Sequence, residues 1–268
     1  MRKKIVVSAI NIVDGGALTI LHQLINAISS EKYHEYDFIF LLSKKNVLKG
    51  ISLDKSNNIK FIYYPLSKKS WFFRLYYEYI HLFFISLLLK PFVWFSLHDI
   101  TPNVFSKKRY VYCHNPSIFI KFPIKDFLKD KKQFLFCLFY KFFYKINIRK
   151  NDNVIVQQNW IANEFQTLFD LSNVIIAKPI ITKNNIKNDL YIGSNPYNKS
   201  KRRKIFYPAF PRYFKNHDIL IKSAKHLASY CEFFLTINVN ESNIIKHSIK
   251  NNNQETKGLQ FLGRLNLR

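Results

Sequence analysis

The feature that most restricts this chain is a steady alternation of short β-branched runs with stretches of helical period. The first unit sets the pattern. Lys4–Ser8 is a β-branched run, a loop with the pair Gly15-Gly16 follows, and then Leu18, Leu21, Leu24, Ile25 and Ile28 recur at three- and four-residue spacing. That spacing gathers them on one face of a helix. Tyr36–Leu42, Ile59–Tyr64, Phe92–Ser96, Arg109–Cys113, Asn153–Gln157 and Val174–Ala177 read as further strands, with a helix over Gln158–Phe169. The alternation predicts an α/β protein on a mainly parallel sheet. At 268 residues there is room for one large domain or two small ones.

The first βα unit carries two readings. A buried strand, a glycine turn and a helix opening just after it form an anion-binding arrangement, because the N–H groups of the first helical turn point outward at a ligand. The spacing is neither G-x-G-x-x-G nor a Walker loop, so an ordinary βα turn fits the same residues. Two later loops, His98-Asp99-Ile100-Thr101-Pro102 and His114-Asn115-Pro116, also follow strands. In open parallel sheets such loops line the ligand crevice. A hydrogen-bonded structural histidine is the competing reading at each.

Two segments raise the question of a membrane. Trp71–Leu89 has the length of a span, but Arg74, Glu78 and His81 interrupt its first half, which predicts a buried or interfacial helix ended by Pro91. Lys121–Lys150 holds nine Lys/Arg against two Asp, interleaved with Phe134, Phe136, Leu138, Phe139, Phe142 and Phe143 at helical spacing. It reads either as a basic amphipathic helix at a lipid surface or as a core-facing helix with solvated lysines.

Beyond residue 181 the character changes. The Asn-, Lys- and Ser-rich stretch 182–203 reads as a linker between a domain at 1–181 and a second at 204–268. In the second, strand Lys204–Tyr207, turn Pro208–Phe214, helix Asn216–Ser229, strand Glu232–Ile237, a polar helix over Glu241–Lys250 and strand Leu259–Leu262 amount to about half of a doubly wound domain.

With 42 Lys+Arg and a net charge of +25, the surface favours nucleic acid, anionic lipid or phosphorylated substrates. No zinc-finger spacing, RNP-type segment or basic heptad region accompanies the charge, so no specific nucleic-acid binding is expected. Cys113, Cys137 and Cys231 lack metal-site spacing and fit free thiols in a reducing compartment. The N-terminus shows no signal peptide, which predicts a cytoplasmic protein, and the basic Lys121–Lys150 segment offers it a peripheral place on the inner face of the cell membrane.

Six motifs in order give the chain a resemblance. They are DGGA (Asp14–Ala17), SLHDITP (Ser96–Pro102), YVYCHNPS (Tyr110–Ser117), VIVQQNW (Val154–Trp160), YPAFPRYFKNHDILIKSA (Tyr207–Ala224) and FLGRL (Phe261–Leu265). Together they resemble the GT-B glycosyltransferases of the GT4 (group 1) family. The resemblance implies two Rossmann-like domains with parallel sheets, the second incomplete here. It implies retaining transfer of a sugar from a nucleotide-sugar to a polysaccharide or lipid-linked oligosaccharide, as in bacterial surface polysaccharide synthesis of the O-antigen, capsule or lipopolysaccharide kind. Neither metal nor cofactor is implied, the nucleotide-sugar being a substrate.

Residue by residue, Gly15 and Gly16 match the glycine loop near the donor phosphates, and His114 matches a histidine at the donor sugar. Lys215 matches the lysine on the donor diphosphate, with Arg212 assisting. A fixed cation there would stabilise the nucleoside diphosphate as it leaves. The chain departs from the family in two places. Ala209-Phe210 stand where many relatives have Gly-Arg, and the family's E-x7-E pair has no counterpart, since Glu241 and Glu255 precede the last strand. These departures predict a truncated enzyme with weak or no catalysis of its own. The alternative is a non-catalytic, basic, membrane- or polyanion-associating remnant of such an enzyme.

Overall fold

The β-branched runs pair in parallel throughout a computed structural model, which describes residues 2–29, 33–51, 57–119, 131–179, 202–209, 215–238, 245–246, 249 and 258–263. The chain divides into two units, Met1–Phe119 with Phe139–Ile181, and Ile120–Leu138 with Thr182–Arg268.

The first unit is built on seven strands: β1 (Lys3–Ala9), β2 (Tyr36–Leu42), β3 (Ile59–Tyr63), β4 (Val93–Ser96), β5 (Lys108–Cys113), β6 (Asn153–Val156) and β7 (Val174–Ile176). Their order is β3-β2-β1-β4-β5-β6-β7. The order reverses between β1 and β4, the topological switch point at which doubly wound folds bind ligands. The sheet is apolar on both faces because helices cover both. Val7, Phe38, Phe40 and Leu42 pack with Leu21 and Ile25 of helix α1 (Gly15–Ile28). The intervening Val6, Ile39 and Leu41 face the other way and pack with Trp94 and Leu82.

Leu82 belongs to a continuous helix over Trp71–Leu89, made of α2 (Trp71–Tyr76), a π-helical turn (Tyr77–His81) and α3 (Leu82–Leu89). Arg74, Glu78, Leu82 and Ser86 are all buried at a spacing of four residues. In a regular α-helix four residues overshoot a full turn by about 40°, so such a row drifts off its face. The wider π turn takes the drift back. The helix opens on Ser70, whose hydroxyl accepts from Phe73 N at 3.3 Å. Ser70→Ala is expected to cost about 1 kcal/mol in a urea titration, the usual worth of such a cap.

Helix α4 (Lys131–Lys145) corrects the reading of its apolar set. The inward side chains are Tyr140 and Tyr144, whereas Leu138, Phe139 and Phe142 are exposed. The left-handed Asn147 and a 3-10 turn at Ile148–Lys150 follow α4 in place of further α-helix. Residues 120–130 lie outside those described. Helix α5 (Asn159–Phe169) then packs Phe165 and Phe169 against Tyr144.

The second unit has its own parallel sheet of β8 (Arg203–Tyr207), β9 (Cys231–Leu235) and β10 (Leu259–Phe261), in the order β10-β9-β8. Helix α6 (His217–Leu227) contributes Ile221 and Ala224 to a core with Phe233, Leu235 and Ile237. It starts one residue later than the periodicity suggests, because Asn216 is left-handed. Gly258 enters β10 at φ +82°, and a Cβ there would stand 3.3 Å from Ala228 Cα, so the turn requires glycine. The predicted linker and most of the predicted turn at Pro208–Phe214 and helix at Glu241–Lys250 lie outside the described residues.

Candidate functional site at the carboxyl edge of the first sheet

Two strand ends meet at the switch point. Ser8 and Ser96 are register partners on β1 and β4. Two residues past Ser96, the buried His98 turns back, and its Nε2 lies 3.0 Å from Ser8 Oγ. On the other side of the ring, Nδ1 stands 3.3 Å from Glu78 Oε1, short of hydrogen-bond geometry. Arg74 completes the group, with its Nε 4.0 Å from Glu78 Oε1 and its Nη2 donating to Tyr140 Oη at 3.1 Å.

Burial sets the charge states. It pushes the Glu78 carboxyl up to about 8, against the pull of Arg74. It pushes the His98 imidazole down to about 3, and the Arg74 cation adds to that effect. Both are therefore neutral at pH 7, and Arg74 is the cation of the group.

One strand over, Asp99 holds the loop after β5. Its backbone is left-handed, at φ +72°, a conformation more often taken by Asn and Asp than by other non-glycine residues. Asp99 Oδ1 accepts from His114 N at 2.8 Å and from Asn115 N at 3.1 Å. His114 Nδ1 stands 3.5 Å from the same oxygen. The His114 side chain is partly exposed at the sheet edge, while Asp99 is buried. The carboxylate thus fixes the His114 backbone and lies behind its ring, whose Nδ1 makes no hydrogen bond to it. The neighbouring Cys113 thiol is raised by burial and is inert as a nucleophile.

The glycine loop shares this edge. Gly15 requires its left-handed conformation, φ +68°, yet a Cβ on Gly15 or Gly16 would meet nothing within 4 Å. The freedom there is conformational and the surroundings are open. Asp14 makes no side-chain cap to α1, and the first turn holds no acid. Lys68 Nζ donates to Asn11 Oδ1 at 3.0 Å in the same loop. Its amine is lowered by burial and then by Arg74, with Asp14 opposing. An uncapped helix start beside a lysine favours an anion.

Of the residues singled out in the sequence, Gly15, Gly16 and His114 belong to one sheet edge. Lys215 is in the second unit, immediately before α6, where its carbonyl accepts from Tyr207 Oη at 2.7 Å. Arg212 lies outside the described residues. Near Lys215, His217 is buried with its ring 5.4 Å from that of Tyr207, and burial lowers its imidazole. Sequence reasoning placed the His98 loop at the crevice but missed Arg74, Glu78 and Lys68 as members of the site. The available signal was the i, i+4 pair Arg74/Glu78 inside an apolar helix. Among the described residues no three metal-ligating side chains converge. An open groove of about 610 Å³ is lined by Gln157, Gln158, Trp160 and Lys178 at the end of β6, apart from the buried polar groups.

Neither a protein-family model nor a curated sequence relative matches the chain. Solved structures do. A lipopolysaccharide outer core galactosyltransferase, WaaB, in its apo form aligns over 98% of this chain and 68% of its own, at 12% identity and a TM-score of 0.55. MnaA of S. aureus in a UDP co-structure aligns over 98% and 69%, at 13% identity and a TM-score of 0.49. LpCGTa in complex with UDP aligns over 92% and 68%, at 13% identity and a TM-score of 0.45. The likeness to WaaB concerns the fold alone: an α/β protein of GT-B type with a seven-stranded parallel sheet and a second, smaller parallel sheet.

Proposed function

We propose that this chain is a glycosyltransferase that moves a sugar from a nucleoside-diphosphate sugar to a polysaccharide or lipid-linked oligosaccharide. One juxtaposition carries the reading: an anion-favouring helix start and a histidine backed by a buried carboxylate lie along the same carboxyl edge of a doubly wound sheet. The GT-B fold supports it. In this reading the N–H groups at Gly15 and Gly16 receive phosphate oxygens, with Lys68 adding charge. His114 contacts the donor sugar. Lys215, assisted by Arg212, neutralises the departing diphosphate. Transfer is retaining, as in the GT4 family, and serves bacterial surface polysaccharide synthesis at the inner face of the cell membrane.

The test is calorimetric titration with a panel of nucleotide-sugars, followed by turnover with lipid-linked acceptors. Turnover is measured for this chain and for a form extended to the full length of the WaaB-like fold. In the extended form, Lys215→Ala is expected to weaken donor binding and lower turnover about tenfold, the worth of one charge-assisted hydrogen bond. Unchanged kinetics would remove Lys215 from the mechanism. A second reading, a non-catalytic basic protein that associates with membranes or polyanions, is favoured by the charge of +25 and by Lys141 and Lys145 exposed on α4. Binding to anionic vesicles without affinity for any nucleotide-sugar would select it.

A further inference from the structure

We propose that the outward face of the Trp71–Leu89 helix is a docking surface for an anionic lipid bilayer, on which the helix lies in the plane of the membrane. By length and composition this helix could cross a bilayer. Its place in the fold forbids that. Arg74 is tied to Tyr140, the Glu78 carbonyl accepts from Asn103 N at 2.9 Å, and Ser86 Oγ accepts from Phe105 N at 2.7 Å. The helix is fastened lengthwise to the first unit by the row that includes Leu82, and it would have to abandon those partners to stand across a membrane.

The opposite face is apolar and uncovered. Phe72, Tyr76, Ile80, Phe84 and Leu88 repeat every four residues, and all are exposed, Phe72 at 75% and Leu88 at 77%. Phe105, joined to the helix through Ser86, adds a further exposed ring. A row of this size is unusual on a surface left in water. Charge selects the occupant. The sole acid between Trp71 and Leu89 is Glu78, which is buried, so the row itself carries no negative charge. Exposed lysines stand at both ends, with Lys69 before the helix and Lys90 after it. Lys107 joins Lys90 there, with its amine 5.5 Å from the Phe92 ring centroid. An apolar stripe with cations at its ends suits acyl chains beneath anionic head groups. Pairing with a second copy would bring two chains of charge +25 together.

This surface belongs to the first unit and does not depend on sugar transfer. It also differs from Lys121–Lys150, the segment that the sequence nominates for a membrane. The test uses the full chain with phosphatidylcholine vesicles made with and without phosphatidylglycerol. Partitioning is expected only with the anionic lipid, and it is expected to fall about tenfold or more in Phe72→Ser/Phe84→Ser/Leu88→Ser. Far-ultraviolet dichroism checks the fold of that variant. A measurement without any change to the stripe runs beside it. In a Trp160→Phe background, with Trp94 buried, brominated acyl chains are expected to quench Trp71. Unchanged partitioning of a folded triple variant, absence of quenching, no vesicle binding, or a dimer in sedimentation that the triple variant abolishes would each overturn the proposal. Nucleotide-sugar titration of the same samples keeps its failure apart from failure of the enzymatic reading.

Discussion

Arg74→Ala is expected to cost the first unit about 1–3 kcal/mol, seen as a drop in the urea midpoint. The side chain is 5% exposed, and of its partners Tyr140 and Glu78 are buried while Trp71 is partly exposed. Its guanidinium lies 5.0 Å from the Trp71 ring and 5.7 Å from the Tyr140 ring, donates to the Tyr140 hydroxyl, and sits beside Glu78. Alanine removes the cation and leaves the hydroxyl and the carboxyl buried without it. Arg74→Lys is expected to recover only part of the loss, since an ammonium lacks the planar fork that lies against the Trp71 ring while it donates to the Tyr140 hydroxyl. The exposed pair Arg2–Asp37, 3.6 Å apart, provides the contrast. Arg2→Ala is expected to change stability by less than about 1 kcal/mol. Similar losses for the two substitutions would refute the special standing of Arg74.

The second large effect is a stability profile with two limbs. Folded Glu78 keeps a proton up to about 8 that the unfolded chain releases above the ordinary 4.5, so this group's contribution is lost as pH rises between those values. Folded His98 refuses, down to about 3, a proton that the unfolded chain accepts below the ordinary 6.5, so its contribution is lost as pH falls through that range. Each limb has a slope a little over ~1 kcal/mol per pH unit. Where the windows overlap, between 4.5 and 6.5, the slopes cancel. The charged and titratable groups around the pair are Arg74, Lys68, His114, Tyr79 and Tyr140, and both tyrosines are raised by burial and stay neutral throughout. Stability is therefore expected to be flat in mild acid and to fall toward pH 8. Glu78→Gln abolishes the fall, because the amide has no proton to lose. Urea midpoints of both proteins at about pH 5.5 and about pH 8 decide the matter. An alkaline loss that survives in Glu78→Gln would mean that another group carries it.

Much of the fold was legible because its determinants are local. The strand runs and the Leu/Ile spacing of α1 each signal their own element, and the strands form within a residue or two of the expected bounds. The interior charges were less legible. Ser8 and His98 are 90 residues apart, and Arg74 and Tyr140 are 66 apart, so no spacing rule connects them. Arg74 and Glu78 read in the sequence as objections to a membrane span. They are that, and they are also the inward face of the helix. On α4 the helix formed as expected, and of its two readings the core-facing one fails at Leu138, Phe139 and Phe142, which are exposed. Tyrosine buries its ring when its hydroxyl finds a partner, and the partners of Tyr140 and Tyr144, Arg74 and the Asn115 carbonyl, come from distant segments. His114 could be nominated from its strand-end position, but the carboxylate behind it depends on the left-handed backbone of Asp99.

The π turn at Tyr77–His81 couples two surfaces that would otherwise vary independently. Converting it to regular α-helix at the same residue count would rotate Leu82–Leu89 by roughly a quarter turn against the charged half. Ser86 would swing toward solvent, and the outer phenylalanine and leucines would leave their line together. The π geometry of these five residues thus keeps both rows in line, while the outer row points away from the buried contacts of Arg74, Glu78, Leu82 and Ser86. The apolar character of the outer row can therefore change by substitution, with the wiring beneath it kept in register by the backbone.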